Sequence, residues 1–431
     1  MSALEQLELP PDWRFRRLSS LSSSYAGGTP DRSKPEYFDG DIPWVKSGEV
    51  NRRKITHTEE RISEIGLSSS AAKIAESGSV LVAMYGATAG KVARLKIDAA
   101  INQAVLSIRA VGCELDNDFL FWVIESSAVK LLSMCQGAAQ PNLSKGLIDG
   151  LEIAVPPLPE QQKIAAILTA IDEKLDVISR QIEATYALKQ GLMQTLFRRG
   201  VGTQDAAGGW LAHTKFKGSE LGEIPESWAV QPLDTLAESI TVGIATSTTE
   251  HYVEDGVPLI RNQNIKEDFL DISDLLKISA EFDEKNKRKR VLEGDILTVR
   301  TGYPGVSCVV PAGLGYIQTF TTLITRPNTK LICPSFASSY FNSPQGKGLM
   351  LHQAAGGAQQ NINAGNLKKL LVPVPPLVEQ ERIAGILAAV DQKRRSVLSK
   401  REHYRTIKRG LMQKLLTGEW RVKIESSPGT A

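Results

Sequence analysis

The stretch PPLPEQQKIAAILTAIDEKLDVISRQIEATYALKQGLMQTLF, beginning at Pro156, returns as PPLVEQERIAGILAAVDQKRRSVLSKREHYRTIKRGLMQKLL from Pro375. The offset is 375 − 156 = 219 without a gap, so Glu160 matches Glu379, Gln161 matches Gln380 and Asp172 matches Asp391. A repeat of this length decides how the rest of the chain is read. Ile164, Leu168, Ile171, Leu175, Ile178 and Ile182 recur in steps of three and four, the seam of a long amphipathic helix. The prolines ahead of each copy force extended backbone and then open the helix. From Glu160 to Phe197 such a helix spans about 57 Å at ~1.5 Å per residue. The second copy continues the seam with Ile383, Leu387, Val390, Val397, Leu411 and Leu415, but sets Arg394, Arg401 and Lys408 on it. That predicts a wetter middle, or cover by another chain. The two helices are expected to pair as an antiparallel coiled coil about an internal pseudo-twofold axis.

The segments Trp13 to Val155 and Trp228 to Val374 are rich in Gly, Pro, Thr and short apolar runs such as SVLVAMYG, VPLIRN and DILTVR. These are strand and turn signals. The segments also align weakly with each other: LPPDW resembles IPESW, and GAAQPNLSKG at Gly137 resembles GGAQQNINAG at Gly356. The expected fold is α+β: a strand-rich domain over 1–155, a helix over 156–199 and a linker over 200–227. A second domain over 228–374, a helix over 375–420 and a tail over 421–431 follow. A protein with internal twofold symmetry suits a pseudo-symmetric partner, of which duplex DNA is the commonest.

At 431 residues, 42% hydrophobic and 23% charged, the composition is that of ordinary globular domains. The start MSALEQLELPPDW lacks the features of a signal peptide, and no apolar run approaches the ~20 residues of a membrane span. A cytoplasmic protein with no membrane partner is expected. Cys113, Cys135, Cys308 and Cys333 are far apart, as are the five histidines, so no metal site is expected and the cysteines read as small buried hydrophobes. The net charge of +3 announces little by itself, but basic clusters stand at Arg14 to Arg17, Arg52 to Lys54, Arg198 and Arg199, Lys285 to Arg290 and Lys400 to Arg409. On a symmetric frame they point to a surface that tracks phosphates.

Catalytic motifs are wanting. The double prolines in LPPD and VPPL do not fit the loop of an amino-methyltransferase. GATAGKV at Gly86 is one residue short of a phosphate loop and reads as a turn. The D-x-K strings at Asp172 and Asp391 lie on predicted helices, where positions two apart diverge by about 200°. That at Asp283 opens a charge run.

This layout resembles the specificity (S) subunit of Type I restriction–modification systems. The carriers are PLPEQQKIAAIL and PLVEQERIAGIL, both GLMQ segments, FKGSELGEIPESW, LLTGEWRV and the opening YAGGTPDRSKPEYFDGDIPWVKSGEV. The resemblance implies a non-catalytic subunit whose two target recognition domains each read half of a split DNA sequence. Its helices would measure the gap and dock two methyltransferase (M) subunits, with restriction (R) subunits joining. S-adenosylmethionine, ATP and Mg would belong to those partners, and this chain would hold no cofactor. The alternatives are a stand-alone DNA-binding protein and a coiled-coil adaptor.

The duplication sorts residues. Features common to both halves cannot encode two different half-sites and should serve scaffold or phosphate. Among these are Gln140 and Asn142, matching Gln359 and Asn361, as helix caps or phosphate grips. Glu160, Gln161, Ile164, Leu168, Glu379, Gln380, Ile383 and Leu387 are candidates for partner docking. Features that differ are candidate base readers, because Arg and Lys pair with guanine, and Asn and Gln with adenine. These are the loop of Lys46, Ser47, Asn51 and Arg52 and its counterpart Arg261, Asn262, Gln263 and Asn264. A second turn pairs Tyr85, Thr88 and Lys91 with Arg300, Thr301 and Tyr303. Gly28 and Thr29 should allow close backbone approach to DNA, with Gln103 and Gln318 as weaker candidates.

Overall fold

A computed structural model describes residues 9–133, 142–352 and 361–424. The chain forms two compact units, one of the described residues up to Ser179 and from Lys400 onward, the other Arg180–Ser399. Both boundaries fall inside the repeated helices, Leu158–Arg199 and Leu377–Leu416.

In the first unit the strand Arg14–Arg17 pairs antiparallel with Glu152–Val155, Arg14 opposite Val155, so the globular part begins and ends at one place. A five-stranded sheet runs Ser22–Ala26, Val105–Ala110, Val80–Ala83, Val92–Leu95, Lys54–Ile55. A four-stranded sheet runs Glu60–Ile62, Phe38–Val45, Ala99–Ile101, Lys73–Ala75. The central strand Val80–Ala83 is apolar at every position, as burial on both faces requires; its neighbour Val92–Leu95 is equally buried but carries Arg94, ion-paired to Asp118 at 2.6 Å. The helix Asn117–Ser133 packs Phe119, Leu120 and Trp122 into the core, which also holds Trp13, Ile164, Leu168, Leu415 and Leu416.

The second unit repeats the plan. Ala229–Pro232 pairs with Leu371–Val374, Ala229 opposite Val374. One sheet runs Ala237–Val242, Leu323–Pro327, Ile296–Thr298, Ser307–Val309, another Leu276–Ile278, Tyr252–Ile260, Gln318–Thr319. Segment 200–227 folds into hairpins pairing Thr203–Gln204 with Trp210–Leu211 and Phe216–Ser219 with Gly222–Pro225. Trp228, Phe336, Tyr340 and Phe341 share a core with Met193, Leu196, Phe197, Ile383 and Leu387.

Each unit contains a stretch of both long helices, and in each they run antiparallel. Lys408 Nζ donates to Asp172 at 2.7 Å in the first unit, and Lys189 Nζ to Asp391 at 2.7 Å in the second. The offset of 219 carries one pair into the other. The charges on the seam are covered to different degrees: Lys189 is 1% exposed and Lys408 pairs with Asp172, whereas Arg394 and Arg401 are partly exposed, Arg394 lying 3.5 Å from Asp391 and Arg401 3.4 Å from its neighbour Glu402. The cysteine expectation needs correction too. Cys308 is buried, but Cys113 is exposed and Cys333 only partly covered; Cys135 lies outside the described residues.

Candidate nucleic-acid interface

The strand Phe38–Val45 leads through Lys46 into a 3-10 turn, Ser47–Arg52. Tyr252–Ile260 leads through Arg261 into a 3-10 turn, Asn262–Asn264. The same backbone-to-side-chain bond closes both: Lys46 N–H donates to Glu49 Oε2 at 2.9 Å, and Arg261 N–H to Asn264 Oδ1 at 2.9 Å. Asn264 Nδ2 also donates to the carbonyls of Asp271 and Asp274, and the residue is 3% exposed. Asn264 is thus a cap like Glu49 and is corrected from base reader to scaffold.

The side chains on this shared frame differ. Lys46 Nζ donates to Glu60 at 2.7 Å, a bond that holds the Lys46 pKa up and the Glu60 pKa down. Arg52 is held by Glu59 at 2.6 Å, Asn51 is exposed and Ser47 half-covered. In the second unit Gln263 is exposed. Arg261 reaches the Asp274 carbonyl at 3.2 Å and its carboxylate at 3.4 Å. Arg261 Nε and Asn262 Oδ1, a buried donor and a buried acceptor, find no partner among the described residues. Burying polar atoms unpaired costs about 1–3 kcal/mol each, so they call for an explanation.

The second turn lies beside this loop. Asn262 Nδ2 donates to Thr301 Oγ1 at 3.4 Å, the Tyr303 hydroxyl to the Asn262 carbonyl at 2.6 Å, and Arg300 Nε to Asn361 Oδ1 at 3.2 Å. Five candidates from three parts of the sequence therefore converge. In the first unit the equivalent turn follows Val80–Ala83, with Gly86 and Gly90 at φ 81° and 78°. There Tyr85 bridges Asn142, Thr88 is half-covered and Lys91 is exposed. Burial pushes up the pKa of both phenols, Tyr85 and Tyr303, which therefore remain neutral donors. Gln140 and Gln359 lie outside the described residues.

Other expectations are overturned. A Cβ on Gly28 would lie 2.4 Å from the Ala71 backbone, so the glycine serves close packing within the domain, not approach to DNA. The Thr29 hydroxyl donates to Gln103, and Gln318 is buried against Asp283. The basic clusters are largely neutralised internally: Arg16 by Glu114, Lys54 by Glu173, Lys285 by Glu281, Lys287 by Glu284, and Arg290 by Asp283.

The helix-start residues are clasps. Trp13 Nε1 and the Arg421 guanidinium donate to Glu160, while Gln161 bonds Asp116 N–H and the Glu114 carbonyl. In the second unit Glu379 accepts from Trp228 Nε1, Val201 N–H and Gly202 N–H, and Gln380 accepts from Cys333 N–H. These four, with Ile164, Leu168, Ile383 and Leu387, are at most 2% exposed. No partner can touch them directly, which corrects their assignment as docking contacts. The repetition of LPPDW and IPESW was the signal for the Trp–Glu clasp.

A family model described as the Type I restriction modification DNA specificity domain matches residues 10–185 and again residues 225–402. Over 428 residues the chain is 24% identical to the Type I restriction enzyme MjaVIII specificity subunit of Methanocaldococcus jannaschii, covering 97% of this chain and 95% of that protein. It is 25% identical over 345 residues to the EcoBI specificity subunit of Escherichia coli, covering 75% of this chain and 71% of that one. The crystal structure of a Type I restriction–modification S subunit from M. genitalium shares the fold, with a TM-score of 0.59 at 16% identity over 96% of this chain and 98% of the other.

Proposed function

This chain belongs to the Type I restriction–modification DNA specificity family, and from that premise we propose that it binds a bipartite DNA target, one half per domain, without chemistry of its own. One observation carries the reading. The two domains keep the same backbone-to-side-chain bond in the loop that follows Phe38–Val45 and Tyr252–Ile260, and mount different side chains around it. A shared frame with divergent side chains is what two readers of different half-sites require. Arg261 and Gln263 have the donors and acceptors to pair with guanine and adenine edges.

The finer part of the proposal concerns the assembly. Two methyltransferase subunits would dock on the outward faces of the repeated helices, supplying S-adenosylmethionine chemistry, and restriction subunits would supply ATP-driven cleavage. Asp172, Asp283 and Asp391, the carboxylates of the D-x-K strings, are each ion-paired to a cation of the chain itself. The test is methylation of defined DNA by the purified chain alone and with its methyltransferase partner. Adenine methylation at a split site should appear only with the partner; methyl transfer by the single chain would refute the non-catalytic assignment.

A further inference from the structure

Arg53 and Asp268 stand at equivalent places, seven residues beyond Lys46 and Arg261. Each holds a left-handed backbone, φ 60° and 54°, which a non-glycine residue adopts at a cost. Each points its side chain at the Asp–Lys pair of its own unit's helices, yet the two carry opposite charge. Arg53 Nε donates to Asp172 at 3.1 Å, and its Nη2 to Glu125 at 2.9 Å. Asp268 accepts from Lys189 at 3.2 Å, Ser338 at 2.8 Å and Asn342 at 2.9 Å. Glu125 and Asn342 are themselves equivalent, each six residues after a buried phenylalanine, Phe119 and Phe336. Where the first domain offers an acceptor to a cation, the second offers a donor to an anion.

The Asp–Lys pair does not change with the key, although beside it the second helix carries Arg394 where the first has Leu175. Asp172–Lys408 and Asp391–Lys189 are the same pair, each at 2.7 Å. Arg53 uses the aspartate while Lys408 lies 3.7 Å from Glu125; Asp268 uses the lysine while Arg394 lies 3.5 Å from Asp391. Two cations meet two anions in each seat, so neither leaves a buried charge unpaired, which would be expensive. We propose that the repeated Asp–Lys pair is a two-signed socket, seating a recognition domain through whichever charge its key residue carries and so positioning the reading loop beside it. The link to the loop rests on the DNA-reading function proposed above; the seat itself does not. Arg53 and Asp268 are on this view positioning residues, and the helices a platform that accepts domains of either sign.

The experiment rebuilds each seat with the other's chemistry in the full chain. Asp268→Arg with Asn342→Glu and Arg394→Leu, which restores two cations and two anions, should keep base discrimination at the second half-site within about threefold of wild type. Asp268→Arg alone should lose at least about tenfold, roughly one base pair's worth of discrimination. The reverse rebuild, Arg53→Asp with Glu125→Asn and Leu175→Arg, shrinks the key side chain instead of enlarging it, so it covers the case in which the first fails sterically. It should preserve the first half-site where Arg53→Asp alone does not. Hydrogen exchange around Asp172 and Asp391, measured on the same proteins without DNA, should rank the variants in the same order. If both rebuilt triples are no better than their singles in exchange, the socket is wrong. If exchange follows the prediction but the wild-type chain with its methyltransferase gives no bipartite site, the DNA-reading function fails and the socket stands.

Discussion

The indole Nε1 of Trp13 donates to the Glu160 carboxylate at 3.1 Å, joining the start of the first domain to the first turn of the helix that follows it. The Arg421 guanidinium closes the same carboxylate from the other side, at 2.7 and 2.8 Å. Glu160→Gln keeps the shape but removes the charge and puts an amide NH₂ in place of one accepting oxygen, and hydrogen bonds to charged groups contribute about 1.5–3 kcal/mol each. Urea unfolding followed by exchange in the first unit should show a loss of that size. An unchanged midpoint would mean the clasp is ornamental.

Asn264 and Gln263 are neighbours with different expected roles. Asn264→Ala removes a buried cap and should destabilise the second unit by about 1–3 kcal/mol. Gln263→Ala, at an exposed position, should leave stability within about 0.5 kcal/mol. It should relax discrimination at one or two bases of the second half-site by ~1–3 kcal/mol, as should Arg261→Ala. Competition binding with single-base variants checks this; equal loss on cognate and random DNA would reassign the loop to phosphate.

Lys287 is bonded to Glu284 at 2.6 Å, whereas the adjacent Arg288 is exposed. Arg288→Gln should weaken binding to all sequences alike and reduce the salt slope by about one, with Lys287→Gln having the smaller effect. Titration over a range of salt concentrations decides it, and the reverse ranking would show that the ion pair opens on DNA.

Burial works against the charge of Asp172, but Lys408 and Arg53 overcome it and hold the pKa below the ordinary 3.8. A carboxylate depressed by folding gives stability that is complete above the unfolded value and is lost as pH falls through the folded one. Asp172→Asn should therefore cost about 3 kcal/mol at neutral pH, the gap to wild type closing below 3.8. Asp268 runs the other way: burial pushes its pKa up, so its unit gains relative stability as pH falls from that folded value to 3.8. Acid unfolding of Asp172→Asn with a constant offset from wild type would exclude this linkage.

Much of the fold was legible because a gapless repeat fixes two helices at once, and alternation of turns with apolar runs marks the strands between them. The side-chain assignments were less legible. A buried lysine such as Lys189 looks like an interruption of the apolar seam until its partner, 202 residues away, is known. Arg53 lies in a basic run, so sequence shows its charge but not that Glu125 and Asp172 consume it. The clasping glutamates sit in the first turn of each helix, where local sequence shows an acidic residue suited to the helix dipole but not the tryptophan 147 or 151 residues away that it holds. Convergence of Asn262, Thr301 and Tyr303 is a product of tertiary folding that no spacing records.

The most direct measurement is methylome sequencing of cells carrying this chain with its methyltransferase partner, beside a variant whose residues Trp13 to Val155 come from another specificity subunit. If the two domains are independent readers, the wild type gives one split adenine-methylated motif, and the exchange alters one half while the other half and the spacer stay as they were. A motif that changes in both halves together, or is not split at all, would contradict bipartite reading.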